Sequence, residues 1–185
     1  MRRHALVVCA ACALVIAARD VFNAHIGSRL VPNPTAPENL YACGIRRPAF
    51  LCDLDGVLGP FGARRVAAVL NDANTNVRIR DARGKCDGAR PNVAVAVVHS
   101  AGELVFSEAG AVAGARSMLD RWGVAASPEC RNGVAIALAT NDRRVGFATG
   151  RHALRWVTDD DARAIIRDMK PYLRARRYAA ALALA

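Results

Sequence analysis

The segment "NGVAIALATNDRRVGFATG", residues 132–150, decides how this chain folds. Its first half is a continuous apolar run, which is typical of a strand buried on both faces of a sheet. Asn141 and Asp142 favour a tight turn between two strands. The apolar residues that follow predict a strand running back beside the first. The segment therefore predicts a β-hairpin with one fully buried strand.

A helix and a further strand are predicted upstream of this hairpin. Residues 59–74 carry Val66, Val69 and Leu70 at helical spacing, which predicts a helix with one apolar stripe. Residues 92–100 contain a second apolar run and predict another buried strand. The alternation of strand and helix is thus established before the hairpin begins.

A second helix is predicted between the two buried strands. Ser107 is its predicted N-cap, and Gly123 fits the position just after its last turn. Five residues are expected to share its core face: Val112, Ala115, Met118, Leu119 and Trp122.

A capped helix is predicted after the hairpin. Thr158 and Asp161 have the spacing of a capping box. Asp159 and Asp160 lie in the first turn, where the helix dipole favours acidic side chains. Pro171 is expected to end this helix, and a last helix begins after it. Together these elements predict a three-layer α/β/α sandwich with a mixed sheet in a single domain.

The N-terminus has the anatomy of a signal peptide, residues 1–18. A basic start precedes an apolar run from Ala5 to Ala18, which is shorter than the roughly 20 residues of a spanning helix. An uncleaved anchor is the alternative. Residues 19–42 are predicted to be a proline-rich linker, and residues 43–185 the folded domain. The predicted location is the secretory pathway, with an extracellular or cell-surface destination.

Four cysteines follow the predicted leader: Cys43, Cys52, Cys86 and Cys130. An even number in an oxidising compartment predicts two disulfides, for which three connectivities exist. A zinc site is the alternative, but the spacings are wide and contain no CxxC pair. We expect the cysteines to be structural.

The net charge of +10 raises the question of a nucleic-acid partner. The arginines are scattered along the chain, and no nucleic-acid-binding motif accompanies them. A solvated basic surface is the expectation, without nucleic acid.

The string "CDLDGVL", residues 52–58, resembles the nucleophile motif of haloacid-dehalogenase phosphatases, with Asp53 as nucleophile. That family also requires a longer apolar strand before the first Asp and a lysine between its later motifs. Here Lys85 and Lys170 both lie in the wrong order along the chain. His99 and Ser100 form no recognisable triad, so no catalytic residue is predicted.

The second half of the chain resembles the TPM domain family, which includes thylakoid-lumen proteins, bacterial secreted or membrane proteins, and animal modulators of the levamisole receptor. The resemblance covers about residues 40–185. "CDLDGVL" is similar to the family's opening motif, and "SMLDRWGV" at 117–124 resembles its helix that ends in Trp-Gly. The matching positions further on are Gly133–Val134, Asp142–Arg143, Gly150, Thr158–Asp159, Ile165–Ile166, Pro171 and Tyr178 with Ala181–Leu182.

Within that family, the cysteines are most similar to those of the levamisole-receptor-modulator branch, although Leu54 replaces its usual proline. The pairs to test first are Cys43–Cys52 and Cys86–Cys130. The branch resemblance implies a secreted or membrane-associated module that modulates a membrane receptor or channel subunit of the acetylcholine-gated type. Such modulators carry a transmembrane helix after the domain, so a chain that stops at Ala185 is expected to be a fragment or a secreted form.

The family resemblance also implies a site at one end of the sheet. The Asp53 loop, the Asp142–Arg143 turn and the Thr158–Asp160 helix start are expected to meet there. Five carboxylates would then suit Ca²⁺, namely Asp53, Asp55, Asp142, Asp159 and Asp160. Arg143 would bind phosphate. The alternative function is a weak metal-dependent acid phosphatase of the thylakoid-lumen type. Helix-dipole, turn and capping effects explain the same acidic residues without a ligand.

Overall fold

The computed structural model of the chain describes residues 31–79, 86–100, 110–124 and 130–185. The predicted leader, the first half of the predicted linker (residues 19–30) and Ser107 lie outside these ranges. The described elements, in chain order, are β1 (Leu51–Asp53), α1 (Gly59–Asn76), β2 (Asn92–Val98), α2 (Gly110–Arg121), β3 (Gly133–Ala139), β4 (Arg144–Thr149), α3 (Asp159–Arg174) and α4 (Tyr178–Leu184). Two 3₁₀ turns cover Pro37–Asn39 and Ala153–Arg155.

The four strands form one mixed sheet in the order β1-β2-β3-β4. The first three strands are parallel, with Cys52 opposite Ala96 and Val95 opposite Ile136. β4 pairs with β3 in the antiparallel direction, which confirms the predicted hairpin. Its turn closes with the N–H of Arg143 donating to the carbonyl of Thr140 at 3.3 Å.

Helices cover both faces of the sheet. Along β2, Ala94, Ala96 and Val98 face α2, whereas Val95 and Val97 face α1. α3 and α4 contribute Met169, Ala181 and Leu182 to the α1 side. Because both faces are covered, the strands are apolar throughout, and the predicted three-layer α/β/α sandwich is confirmed.

The α2 layer lies unusually close to the hairpin. A Cβ placed on Gly146 of β4 would lie 1.9 Å from the carbonyl oxygen of Ala111, at the start of α2. Only glycine permits this approach of helix backbone to strand. The first turn of α2 is therefore held against the hairpin by backbone contact.

Three predicted details of the helices are wrong. Val69 and Val112 are 41% and 48% exposed. In α1, the buried stripe consists of Ala63, Val66 and Leu70, which lie at helical spacing on the face turned to the sheet. Pro171 does not end α3, which continues to Arg174. Pro171 lies near the C-terminal end of α3, and because it has no N–H, the helix loses the hydrogen bond to the carbonyl of Arg167. Arg167 is exposed, so water can donate to that carbonyl instead.

The capping box of α3 is confirmed. The Thr158 hydroxyl accepts from the N–H of Asp161 at 3.2 Å, and the Asp161 carboxylate accepts from the N–H of Thr158 at 2.9 Å. The sequence pattern was sufficient here because all partners lie within four residues of one another.

Two disulfides join Cys43 to Cys52 and Cys86 to Cys130, the pairs singled out for first testing. The first links the segment before β1 to the strand itself. The second links the loops that precede β2 and β3. Disulfides of this kind fit an extracellular or secreted protein. Among the described helices, none has the length and apolar character needed to cross a bilayer.

Candidate functional site

Polar side chains collect where the three parallel strands end. Asp53 ends β1 and residues 54–55 follow it, residues 99–100 follow β2, and residues 140–143 follow β3. Parallel strands place these three loops at the same edge of the sheet, which we call the carboxyl edge. Ligands of open α/β sheets bind at this edge, so it is the candidate site.

Asp53 is the buried acidic group of the carboxyl edge, with only 3% of its surface exposed. Its two carboxylate oxygens accept the N–H groups of Val57 and Leu58, at 2.8 and 2.9 Å. Burial raises the pKa of Asp53, and the hydrogen bonds from Leu58 and Val57 oppose that increase. Asp53 therefore closes the loop between β1 and α1.

The other two acids of this edge connect separate loops. Asp55 accepts the N–H of His99 at 2.7 Å, which ties the β1 loop to the end of β2. Ser100 donates its hydroxyl to Asp142 at 3.0 Å, which ties β2 to the hairpin turn. His99 Nδ1 lies 3.3 Å from the Thr140 hydroxyl, the next strand along. These bonds hold the three loops together as one polar surface.

The structure places the remaining predicted acids elsewhere. β4 returns the chain to the opposite edge, where Gly150 donates to Gly133 at 2.7 Å and Ala153 donates to Arg131 at 3.3 Å. A strand of seven residues spans roughly 20 Å, so α3 begins far from Asp53. The expected meeting of the α3 start with the Asp53 loop is therefore wrong.

We call this opposite edge, where the parallel strands begin, the amino edge. Two acidic residues of α3 that lie there are engaged in contacts within the helix and its cap. Asp160 pairs with Arg163 at 2.6 Å on the exposed face of α3. Asp161 serves the capping box, and its pKa is lowered by the hydrogen bonds from the Thr158 side chain and backbone. The acidic helix start is thus explained by capping and by a surface ion pair.

Within the described ranges, no three His, Cys, Asp or Glu side chains come together as a group able to hold a metal ion. The carboxylates of Asp53 and Asp55 instead accept backbone N–H groups. Calcium binding by these residues stays a prediction.

The bonds of His99 and Ser100 to Asp55 and Asp142 were not predicted from the sequence. The sequence did contain a signal for these bonds. His99 and Ser100 directly follow a buried parallel strand, so they must lie beside the loops that follow the two neighbouring strands.

Residues 65–185 match the family described as the TPM domain. A search of curated proteins found no match. Among solved structures, the chain is similar to the solution NMR structure of the N-terminal domain of the cg2496 protein from Corynebacterium glutamicum. That similarity has 19% sequence identity and a TM-score of 0.47, and it covers 71% of this chain and 72% of the other.

Proposed function

The chain belongs to the TPM domain family, and from this premise we propose that it is an extracellular module that binds and modulates a membrane receptor or ligand-gated channel. The partner class is the acetylcholine-gated type, as the resemblance to the levamisole-receptor modulators implies. In this proposal the domain acts through its surface and not through catalysis.

The disulfide pairing is the observation that carries the proposal. Cys43–Cys52 and Cys86–Cys130 use all four cysteines whose positions resemble the receptor-modulator branch. Both bridges fix loops that lead into strands, so they stabilise the surface of a small domain outside the reducing cytosol. This supports the secretory location and, with it, a partner exposed at the cell surface.

The carboxyl edge also favours a binding role. A nucleophile or general base must direct a lone pair towards its substrate. Asp53 instead accepts two N–H groups of its own loop, and Asp55 accepts one from His99. These contacts support a structural use of both carboxylates.

The test is electrophysiological. The full chain is co-expressed with an acetylcholine-gated channel in oocytes, and agonist-evoked currents are recorded. We expect the chain to change the current or the agonist sensitivity, and the double variant Cys86→Ser with Cys130→Ser to weaken that effect. The exposed substitution Arg167→Gln on α3 is the matched control. Currents that are identical with and without the chain would contradict the proposal.

A second candidate function, the metal-dependent acid phosphatase, is supported by one specific arrangement. Asp142, bonded to Ser100, adjoins Arg143 on the exposed turn of the same edge that holds Asp53. An arginine beside carboxylates suits a phosphate ester held with a divalent cation. In this candidate, Ca²⁺ supplies the charge neutralisation.

The two edges of the sheet give this candidate a matched control. Hydrolysis of p-nitrophenyl phosphate is measured with Ca²⁺ or Mg²⁺ and with EDTA. The phosphatase candidate requires metal-dependent turnover that is lost in Asp142→Asn and retained in Asp160→Asn, at the opposite edge. Turnover that is absent in the oxidised wild-type protein, or equally affected by both substitutions, removes the candidate.

A further inference from the structure

A groove lies on the face of α1 that is turned towards residues 44–50. Its two walls are residues 44–50 and the side of α1 that carries Ala63 and Ala67. The groove has a volume of about 1020 Å³, is open to solvent, and reaches Arg90 and Asn92 at the start of β2. Ile45 and Phe50 of the first wall are partly buried against the core, so that wall is anchored.

The charged residues that line the groove are all positive. Four arginines line it, namely Arg46, Arg47, Arg64 and Arg90, and no described residue of its walls is Asp or Glu. No ion pair joins these four guanidinium groups to a carboxylate within the part of the chain that the structure describes. Arg64 lies over the ring of Phe61, 4.6 Å from its centroid. The groove therefore combines an apolar floor with cations that no carboxylate of the described residues neutralises.

The groove is elongated, so a small round ligand would fill only part of it. The lining residues on α1 run from Pro60 to Thr75, which corresponds to about 22 Å at 1.5 Å per residue. That length accommodates about six or seven residues of extended peptide at roughly 3.3 Å each.

The arginines are distributed along this length. Arg64 lies in the first half of α1. Arg90 lies towards the other end, just before the point where the side chain of Asn74 bonds both backbone groups of Val93, at 2.7 and 3.1 Å. A single point anion would meet only one of these two positions, whereas a chain with several acidic groups would meet both.

We infer that this groove binds an extended, acidic peptide segment of the partner protein. Its acidic side chains would lie against the arginines, and its apolar side chains would cover Phe50 and the alanines of α1. Arginine suits this role because its planar guanidinium pairs with carboxylates in a bidentate manner. A concave site with separated cations fits a peptide better than the flat surface of a bilayer. The inference rests on the proposed function only for the location of that partner.

The probe is a fluorescein-labelled heptapeptide of alternating glutamate and leucine, with glutamine replacing glutamate in the control peptide. Binding to the full chain is followed by fluorescence anisotropy at low and high salt. The double variant Arg47→Gln with Arg90→Gln removes two groove charges. The double variant Arg167→Gln with Arg174→Gln removes two exposed charges from α3 and is its matched control. All four positions are exposed, so both variants should fold normally.

We expect the acidic peptide to bind and the glutamine peptide to bind much less. The groove variant should weaken binding about five- to tenfold, because it removes two exposed ion pairs with the peptide, and the α3 variant should not. High salt should reduce binding. Equal binding of both peptides, or equal losses in both double variants, overturns the inference. So does displacement of the peptide by phosphatidylserine vesicles, which would assign the groove to a membrane.

The inference and the proposed function fail separately. If the groove variant still modulates the channel as the wild type does, the receptor proposal stands and the groove is not its binding surface. If the peptide binds as described but no channel current changes, the groove is retained and the receptor proposal falls.

Discussion

At each edge of the sheet an aspartate accepts hydrogen bonds from nearby groups, but the pKa of one aspartate is raised and that of the other is lowered. At the carboxyl edge, Asp53 is buried and accepts two backbone N–H groups, yet its pKa is raised because burial outweighs those bonds. At the amino edge, Asp161 is exposed and accepts from the backbone and hydroxyl of Thr158, which lower its pKa. Similar hydrogen bonds therefore lower the pKa of an exposed carboxylate, but they do not overcome the desolvation that raises the pKa of a buried one.

The largest expected effect comes from removing the disulfide that supports each edge, one disulfide at a time. Cys86–Cys130 closes a loop with a separation of 44 residues and supports the amino edge. Cys43–Cys52 closes one of 9 residues beside Asp53. Loop-closure entropy predicts losses of about 4 kcal/mol for the paired serine variant at 86 and 130, and about 3 kcal/mol for that at 43 and 52. Urea unfolding measures both, and a larger loss at 43 and 52 would contradict the entropic account.

The second test removes the buried acceptor. Asp53→Ala leaves the N–H groups of Val57 and Leu58 without their acceptor in a partly buried loop. We expect a loss of about 2–4 kcal/mol in the free energy of unfolding. Asp161→Ala, measured in the same way, is the control at the exposed edge and should lose much less. Similar losses in the two variants would remove the distinction between the edges.

The third test uses pH and predicts opposite slopes. The folded protein holds a proton on Asp53 more tightly than the unfolded chain does. Relative to Asp53→Asn, the contribution of Asp53 is therefore highest below 3.8 and declines as pH rises through the raised pKa. The contribution of Asp161, relative to Asp161→Asn, is present above 3.8 and is lost as pH falls through the lowered pKa. Unfolding free energies of the three proteins between pH 3 and about 7 measure both slopes, and slopes of the same sign would refute the assignment.

The smallest expected effect concerns the ion pair on the outer face of α3. Arg163→Gln removes the partner of Asp160, and both side chains are largely exposed. Because such pairs are screened by salt, thermal unfolding should change little, and less than in Asp161→Asn. A larger effect than that of Asp161→Asn would mean that the amino edge depends on its ion pair more than on its cap.

Local patterns predicted the fold well, and the limits of prediction follow from distance along the chain. The hairpin and the Thr158 cap were correct because their partners lie within a few residues. The position of the α3 start was wrong although the hairpin was right, because a strand that returns from the carboxyl edge must deliver the next helix to the opposite edge. That consequence depends on strand direction and not on residue type.

The candidate site was predictable only in part. Asp53, Asp55 and Asp142 were placed at the carboxyl edge correctly, since each directly follows a parallel strand or its turn. Their hydrogen-bond partners are up to 44 positions away in the chain, so no local pattern reports them. The arginine groove is harder still, because Arg47 and Arg90 come to line the same groove only after the sheet has formed.

The brevity of β1 has a consequence for the protein's behaviour at high concentration. β1 is one of the two outer strands of the sheet, has only three residues, and its last N–H already donates to the carbonyl of Cys43 at 3.1 Å. A longer free strand would offer a row of unpaired backbone groups to another molecule, which is a common start of aggregation. Here almost nothing is left for a neighbouring sheet to extend. The Cys43–Cys52 disulfide thus also helps to keep the β1 side of the sheet from acting as a template for another molecule.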